Sequence, residues 1–353
     1  LSMTIESPPL VCYGPAKESS GALLSGLLHL TVEAEEQKFD SFILTLTQNI
    51  LKKRAVYGHS GCNECARTTE TLNTWRFFTS PVPLTKGVHT YPFSFLFPGH
   101  LPATTDNCLA RISYTLSASA TTTEGDEINF NQPIKLSRAI LPGPDKHSIR
   151  IFPPTNLSAS IDLPSVVHPG GDFNFDIRLD GVLNRQKNTR WRLRKTSWRV
   201  EEHSRTISDV CPHRATKVPE TVIEHEDVRI IGSGEMKRGW KHDFDTADGK
   251  FEVTVDANIP TYAEASCKLE PSNGVSVNHV LIVEMIVAEE YASGAYQRGG
   301  ATPTGSARVL RMQFHLTVTS RSGLGISWDE EAPPMYEDVP VAPPEYGRVV
   351  EGE

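Results

Sequence analysis

Phe173-Asn-Phe-Asp-Ile-Arg-Leu-Asp180 places four apolar side chains on one face of an extended chain and four polar ones on the other. Successive side chains of a strand point to opposite sides of its sheet, so a strict period of two predicts a half-buried strand. The same alternation returns in Phe251-Glu-Val-Thr-Val-Asp256 and runs for ten residues in Leu310-Arg-Met-Gln-Phe-His-Leu-Thr-Val-Thr319. Ile43-Leu-Thr-Leu-Thr47 and Ile112-Ser-Tyr-Thr-Leu-Ser117 carry it in the first half. Turn-forming residues punctuate these runs: Pro98-Gly99, His168-Pro-Gly-Gly171, Asp248-Gly249 and Ser272-Asn-Gly274. No capped segment sustains a 3.6-residue period. Many short strands at this spacing predict an all-β chain of antiparallel, immunoglobulin-like β-sandwiches.

A length of 353 residues suits two such sandwiches, each with its own core. Leu141-Pro-Gly-Pro-Asp-Lys-His-Ser148 has the composition of a linker, which gives a first sandwich over 1–141, a linker over 142–148 and a second sandwich over 149–322. Residues 323–353 are Pro-rich and acidic, with too little apolar surface to fold, and are expected to be a disordered tail. The most apolar early run, Ala22 to Leu30, is nine residues long and contains Gly26 and His29. It is too short to span a bilayer and has no basic stretch before it. Six cysteines do not make a disulfide framework, which favours a reducing, cytoplasmic setting.

The tail holds two copies of one motif, Pro333-Pro334-Met335-Tyr336 and Pro343-Pro344-Glu345-Tyr346. With 25 Pro and 9 Tyr in the chain, chance would supply far fewer than one match. Consecutive prolines pre-set a polyproline II helix, which WW domains grip between aromatic rings, and the tyrosine fills a second pocket. Tyr336 and Tyr346 lie ten residues apart, or about 30 Å along such a helix, a span suited to tandem WW domains. The competing reading is a linker whose Pro and Tyr carry no message.

Charge is unevenly placed. The chain has a net charge of −8. Eight acids against Arg348 alone give residues 328–353 a charge of −7, leaving −1 for the rest. Inside that near-neutral body, residues 184–205 hold eight basic side chains and two acidic ones. Its centre is Arg190-Trp191-Arg192-Leu193-Arg194-Lys195, where alternation puts the three arginines on one strand face and turns Trp191 and Leu193 inward. Parallel guanidiniums suit clustered carboxylates or phosphates, so the candidate ligands are acidic or phosphorylated protein tails and anionic lipid headgroups. Nucleic acid fits poorly, because the aromatic side chain faces the core and the overall field is negative. The bland alternative is a solvated strand face. Lys52-Lys53-Arg54 is a smaller patch of the same kind.

Cys62-Asn-Glu-Cys65 has the gap that lets two thiolates bind one tetrahedral zinc. Cys211 and His213 would complete the set, with His59 as a competitor for the last position. A structural zinc is therefore the candidate cofactor, against the alternative of ordinary loop cysteines. Cys12, Cys108 and Cys267, on or beside expected strands, read as core thiols. No nucleophile elbow, phosphate loop or zincin helix occurs, so no catalytic residue is expected.

Several segments together resemble fungal α-arrestins, the arrestin-related trafficking adaptors. They are Pro8-Pro-Leu-Val-Cys-Tyr-Gly14, Ser19-Ser-Gly-Ala-Leu-Leu-Ser-Gly26, Tyr91-Pro-Phe-Ser-Phe-Leu-Phe-Pro-Gly-His-Leu-Pro-Ala103 with Ile112–Leu116, Val167–Gly171 and Gly239-Trp-Lys241. The resemblance implies two tandem arrestin-like sandwiches, no catalysis, and recruitment of a HECT-type ubiquitin ligase to plasma-membrane transporters, whose ubiquitination and endocytosis follow. It also implies a cytoplasmic protein recruited to plasma-membrane and endosome or Golgi surfaces. The alternative of another class is an arrestin-fold structural subunit of a membrane-trafficking coat, which needs no WW-binding tail.

Overall fold

The computed structural model describes residues 1–53, 63–78, 80–209, 222–291 and 302–321. Among them helix is confined to two short turns, Asn63–Ala66 and Thr261–Ala263. The first half comprises β1 (Ser2–Ile5), β2 (Leu10–Tyr13), β3 (Ala22–Lys52), β4 (Arg67–Phe78), β5 (Val82–Phe97), β6 (Thr105–Asp106), β7 (Ala110–Thr122), β8 (Glu127–Ile134) and β9 (Leu136–Ala139). The second comprises β10 (Lys146–Ile151), β11 (Ser158–Leu163), β12 (Asp172–Asp180), β13 (Leu183–Asn184), β14 (Thr189–Asp209), β15 (Val222–Met236), β16 (Lys241–Asp243), β17 (Lys250–Asn258), β18 (Leu269–Ser272), β19 (Val275–Tyr291) and β20 (Thr302–Leu316). The expected all-β architecture of antiparallel sheets is the observed one. All five alternating runs of the sequence lie in strands, except that Thr317–Thr319 leave β20 and Val318 bridges to Val167.

The first half is organised by β3, which is 31 residues long and serves both layers. Its start pairs with β1 and β5, and its end with β4 and β7. Between them the register with β5 slips at Val32/Glu36, where Glu33–Glu36 are exposed. Strict alternation on either side of the slip buries Leu24, Leu28 and Leu30, then Phe42, Leu44 and Leu46, in one core with Ile112, Tyr114 and Leu116 of β7. The Tyr114 hydroxyl donates to Pro102 O at 2.6 Å and accepts from Gln48 Nε2 at 2.8 Å. A buried phenol needs such partners, and burial pushes its pKa up.

Two of the segments quoted for the family resemblance, Pro8–Gly14 and Tyr91–Ala103, converge on one side chain. Arg138, on β9, donates to the carbonyls of Gly14 (2.9 Å), Leu101 (2.9 Å) and Gly99. A Cβ on Gly99 would lie 1.9 Å from Ser19 O, so only glycine permits the Pro98-Gly99 turn to pack on the Ser19-Ser-Gly segment.

In the second half a five-stranded sheet, β10-β11-β12-β17-β16, faces a six-stranded sheet built on β14 and β19. Phe175, Ile177 and Leu179 of β12 pack with Phe251, Val253 and Val255 of β17 and with Val283, Met285 and Val287 of β19. Lys146–Ser148, within the expected linker, already pair with Ile161–Leu163 in β10–β11. Gly143, also in that segment, exchanges hydrogen bonds with Ser165 Oγ at 2.7 and 2.9 Å.

The halves are docked into each other. Asn273 and Gly274 both have positive φ (50° and 74°), which makes the tight turn between β18 and β19. That hairpin delivers Leu269, Val275 and Val277 of the second half into the first core. Lys52 Nζ donates to Ile207 O at 2.7 Å, and Thr319 Oγ1 accepts from Ile140 N and donates to Arg138 O, both at 3.0 Å. Next to the hairpin, the fully buried Glu202 accepts from Arg229 Nε at 2.8 Å and Ser266 N at 2.7 Å, with His279 Nε2 at 3.7 Å. Burial, the largest influence, raises its pKa, but His279, Arg229 and the Ser266 N–H outweigh it and hold the carboxyl below its ordinary value. Arg229 also donates to Ala263 O (3.0 Å) and Glu264 O (2.9 Å).

Of the three cysteines read as core thiols, Cys12 is buried and Cys267 is half-buried beside Ser320 Oγ at 3.3 Å. Cys108 departs from that expectation. It is exposed, and its Sγ donates to Asp227 Oδ2 at 3.0 Å across the two halves, because the turn before β7 faces β15 rather than the core.

Candidate functional site

β14 carries the basic row to the end of the second sandwich remote from the β18–β19 turn. Leu193 is buried and Trp191 half-buried against the core, so Arg190, Arg192 and Arg194 share the opposite face. The pairing with β19 slips between Leu193 and Lys195. A bulge leaves one residue unpaired and turns the strand, so after it Thr196 and Trp198 face inward and Lys195 and Arg199 outward.

The three arginines form one wall of a cleft of about 1010 Å³. The other wall comes from the segment between β15 and β17: Lys237, Arg238, Trp240, His242, Phe244 and the acids Asp243 and Asp245. Five cations against two carboxylates make the lining positive. Arg190 stacks its guanidinium over the Phe244 ring, 5.1 Å from the centroid, a contact that holds the charge in place. Lys195 stands apart from the cleft, ion-paired with Glu235 of β15. Contacts from Lys195 and Lys237 pull the Glu235 carboxyl below its ordinary value.

Beneath the arginines lies Glu290 of β19, opposite Arg190 in register and 1% exposed. Its carboxylate is 2.6 Å from Arg194 Nη2, 3.6 Å from Arg190 Nη2 and 3.7 Å from Arg192 Nη1. Only the first is a hydrogen bond, and both Glu290 Oε2 and Arg190 Nε are buried without a hydrogen-bond partner. The arrangement can receive anionic oxygens from a ligand, because guanidinium donors are left over and the local charge stays positive.

Sequence reasoning located the arginine row and missed Glu290, about a hundred residues away, and the opposing wall. The basic pair Lys237-Arg238 beside Gly239-Trp240 was the available signal for that wall. The smaller basic patch is occupied structurally. Besides the Lys52 contact, Lys53 Nζ pairs with Asp106 Oδ1 at 2.7 Å, and Arg54 lies outside the described residues.

Of the candidate zinc ligands, Cys62, Cys211 and His213 lie outside the described residues, as does His59, while Cys65 sits in the short turn Asn63–Ala66. Among the described residues no three His, Cys, Asp or Glu side chains are grouped to hold a metal. Metal analysis of the purified protein tests the zinc reading. Pro333, Pro334, Tyr336, Pro343, Pro344 and Tyr346 also lie outside the described residues. No helix among the described residues is long and apolar enough to cross a membrane.

Residues 42–218 match a family model described as an LDB19 arrestin N-terminal-like domain, a range that includes the arginine row. An uncharacterized protein of Schizosaccharomyces pombe is 36% identical over 350 residues, covering 99% of this chain and 89% of that protein. A second from the same organism is 36% identical over 360 residues, covering 98% and 94%. Protein LDB19 of Saccharomyces cerevisiae is 24% identical, with 98% of this chain and 81% of that protein covered. That alignment runs to 662 positions, so the relative carries long insertions where this chain has none.

Proposed function

The chain belongs to the LDB19 family of arrestin-like proteins, and on that premise we propose that it is a non-catalytic trafficking adaptor. It brings a HECT-type ubiquitin ligase to plasma-membrane transporters and so promotes their ubiquitination and endocytosis. One observation carries the reading: two Pro-Pro-x-Tyr motifs, Pro333–Tyr336 and Pro343–Tyr346, follow the second sandwich in an acidic segment. Prolines that pre-set the bound conformation lower the entropy lost on docking, and two copies on one tether raise avidity for tandem WW domains. The ligase is thereby held close to whatever the sandwiches grip.

The cargo side of the mechanism is electrostatic. The cleft between the arginine row and Trp240 takes an acidic segment of a transporter's cytosolic tail, with guanidiniums donating paired hydrogen bonds to its carboxylates. Membrane residence at the plasma membrane, endosome or Golgi then follows from the cargo, with anionic lipids as an added attraction. A pull-down with WW domains of a HECT ligase tests the reading. The double variant Tyr336→Ala/Tyr346→Ala is expected to lose binding, and retention at the wild-type level would sink it.

A further inference from the structure

We infer that Glu290 is an internal competitor for the anion-binding cleft, a built-in carboxylate that weakens the cleft's grip on acidic peptides. The inference rests on reading the cleft as the cargo contact and concerns how its affinity is set. A buried carboxylate that serves only as a structural counter-ion is expected to be saturated with donors, because every unmet lone pair is costly in the interior. Glu290 is not saturated: Arg194 reaches Oε1 at 2.6 Å, while Oε2 has no hydrogen-bond partner. Arg190 and Arg192 approach only to 3.6 and 3.7 Å. Three guanidiniums converging on one carboxylate leave a charge of +2 and most of their N–H donors unused.

A ligand that brings its own carboxylates into the cleft therefore contends with Glu290 for the same cations and feels its repulsion. The concave shape favours a peptide over a bilayer as the occupant. Trp240 and Phe244 wall the cleft, so side chains of an extended segment can enter where a flat membrane meets only the rim.

Anisotropy of a fluorescent oligoglutamate peptide with the full chain tests this, with phosphatidylserine vesicles as a second arm. Glu290→Gln keeps the shape and an oxygen acceptor for Arg194 while removing the charge. It is expected to bind the peptide roughly tenfold tighter at low salt, with a steeper loss as salt is added. Arg192→Glu/Arg194→Glu should abolish binding. If wild type binds and that reversal abolishes it, yet Glu290→Gln is unchanged or weaker, the competitor role is overturned and the cleft stands. If no form binds, or the reversal has no effect, the cleft reading falls and this inference with it. Tightening on vesicles alone would overturn the peptide as occupant. Should Glu290→Gln not fold, Arg192→Gln and Arg194→Gln decide the matter. Arg194 is already engaged by Glu290, so Arg192→Gln should lose more affinity, and an equal or larger loss from Arg194→Gln overturns the proposal.

Discussion

Glu202 and Glu290 are both buried glutamates on the central β14–β19 pair, and both face arginine. They differ in how completely they are satisfied. Glu202, at the junction of the halves, receives Arg229 Nε and the Ser266 N–H, and Arg229 is itself closed off by Ala263 O and Glu264 O. Glu290, at the far end, has three arginines around it, one hydrogen bond and an unpartnered oxygen. Both carboxylate oxygens of the first are hydrogen-bonded within the fold, Oε1 by Arg229 and Oε2 by the Ser266 N–H, which makes it a structural tie. Excess donors make the second a place where a ligand's oxygens can be received. The same side-chain chemistry thus serves cohesion at one end of the sheet and recognition at the other.

The largest effect that could break this contrast is on stability. Removing one partner of the saturated pair, by Glu202→Ala or Arg229→Ala, should cost about 3–5 kcal/mol, read as a drop in the denaturant midpoint. A loss below about 1 kcal/mol would make Glu202 no more structural than an exposed ion pair. The pH dependence follows from the same pair. The native Glu202 carboxyl is held below its ordinary value, so the unfolded chain binds the proton more readily. Its contribution is therefore complete above the ordinary carboxylate range and is lost as pH falls through the native value. Glu202→Gln should flatten the acid limb of a stability–pH curve, and an unchanged limb would remove Glu202 from the account.

The cleft should respond in the opposite manner. Arg192→Glu/Arg194→Glu is expected to lose most binding to acidic peptides at low salt. It should also lower the thermal midpoint, because Arg194 is the hydrogen-bond donor to the buried Glu290. Arg192→Gln, at an exposed side chain 3.7 Å from Glu290, should lose binding with the midpoint little moved. Glu290→Gln should change stability by about 1 kcal/mol or less, since Arg192 and Arg194 are exposed and the amide keeps an oxygen for Arg194, measured by urea titration. A cost as large as that of Glu202→Ala would erase the distinction between the two ends.

Much of this was legible in the sequence because its determinants are local. Period-two alternation assigns each side chain of β12, β17 and β20 to a face without reference to any neighbour, so the all-β class followed from it. The same rule put Arg190, Arg192 and Arg194 on one side and Leu193 on the other. The acidic character of the segment after Ser322 and its paired Pro-Pro-x-Tyr motifs are likewise properties of contiguous residues.

Tertiary structure decided what comes from distant segments. Strand register brought Glu290 beneath the arginine row, and the β18–β19 turn sent Val275 and Val277 into the first core. Arg138 became the meeting point of Gly14, Gly99 and Leu101, and Cys108 reached Asp227 instead of the core. Alternation fixes the side of a sheet on which a residue lies, whereas its neighbours depend on which strands pair and in what register. Those choices are made by burial summed over the whole molecule.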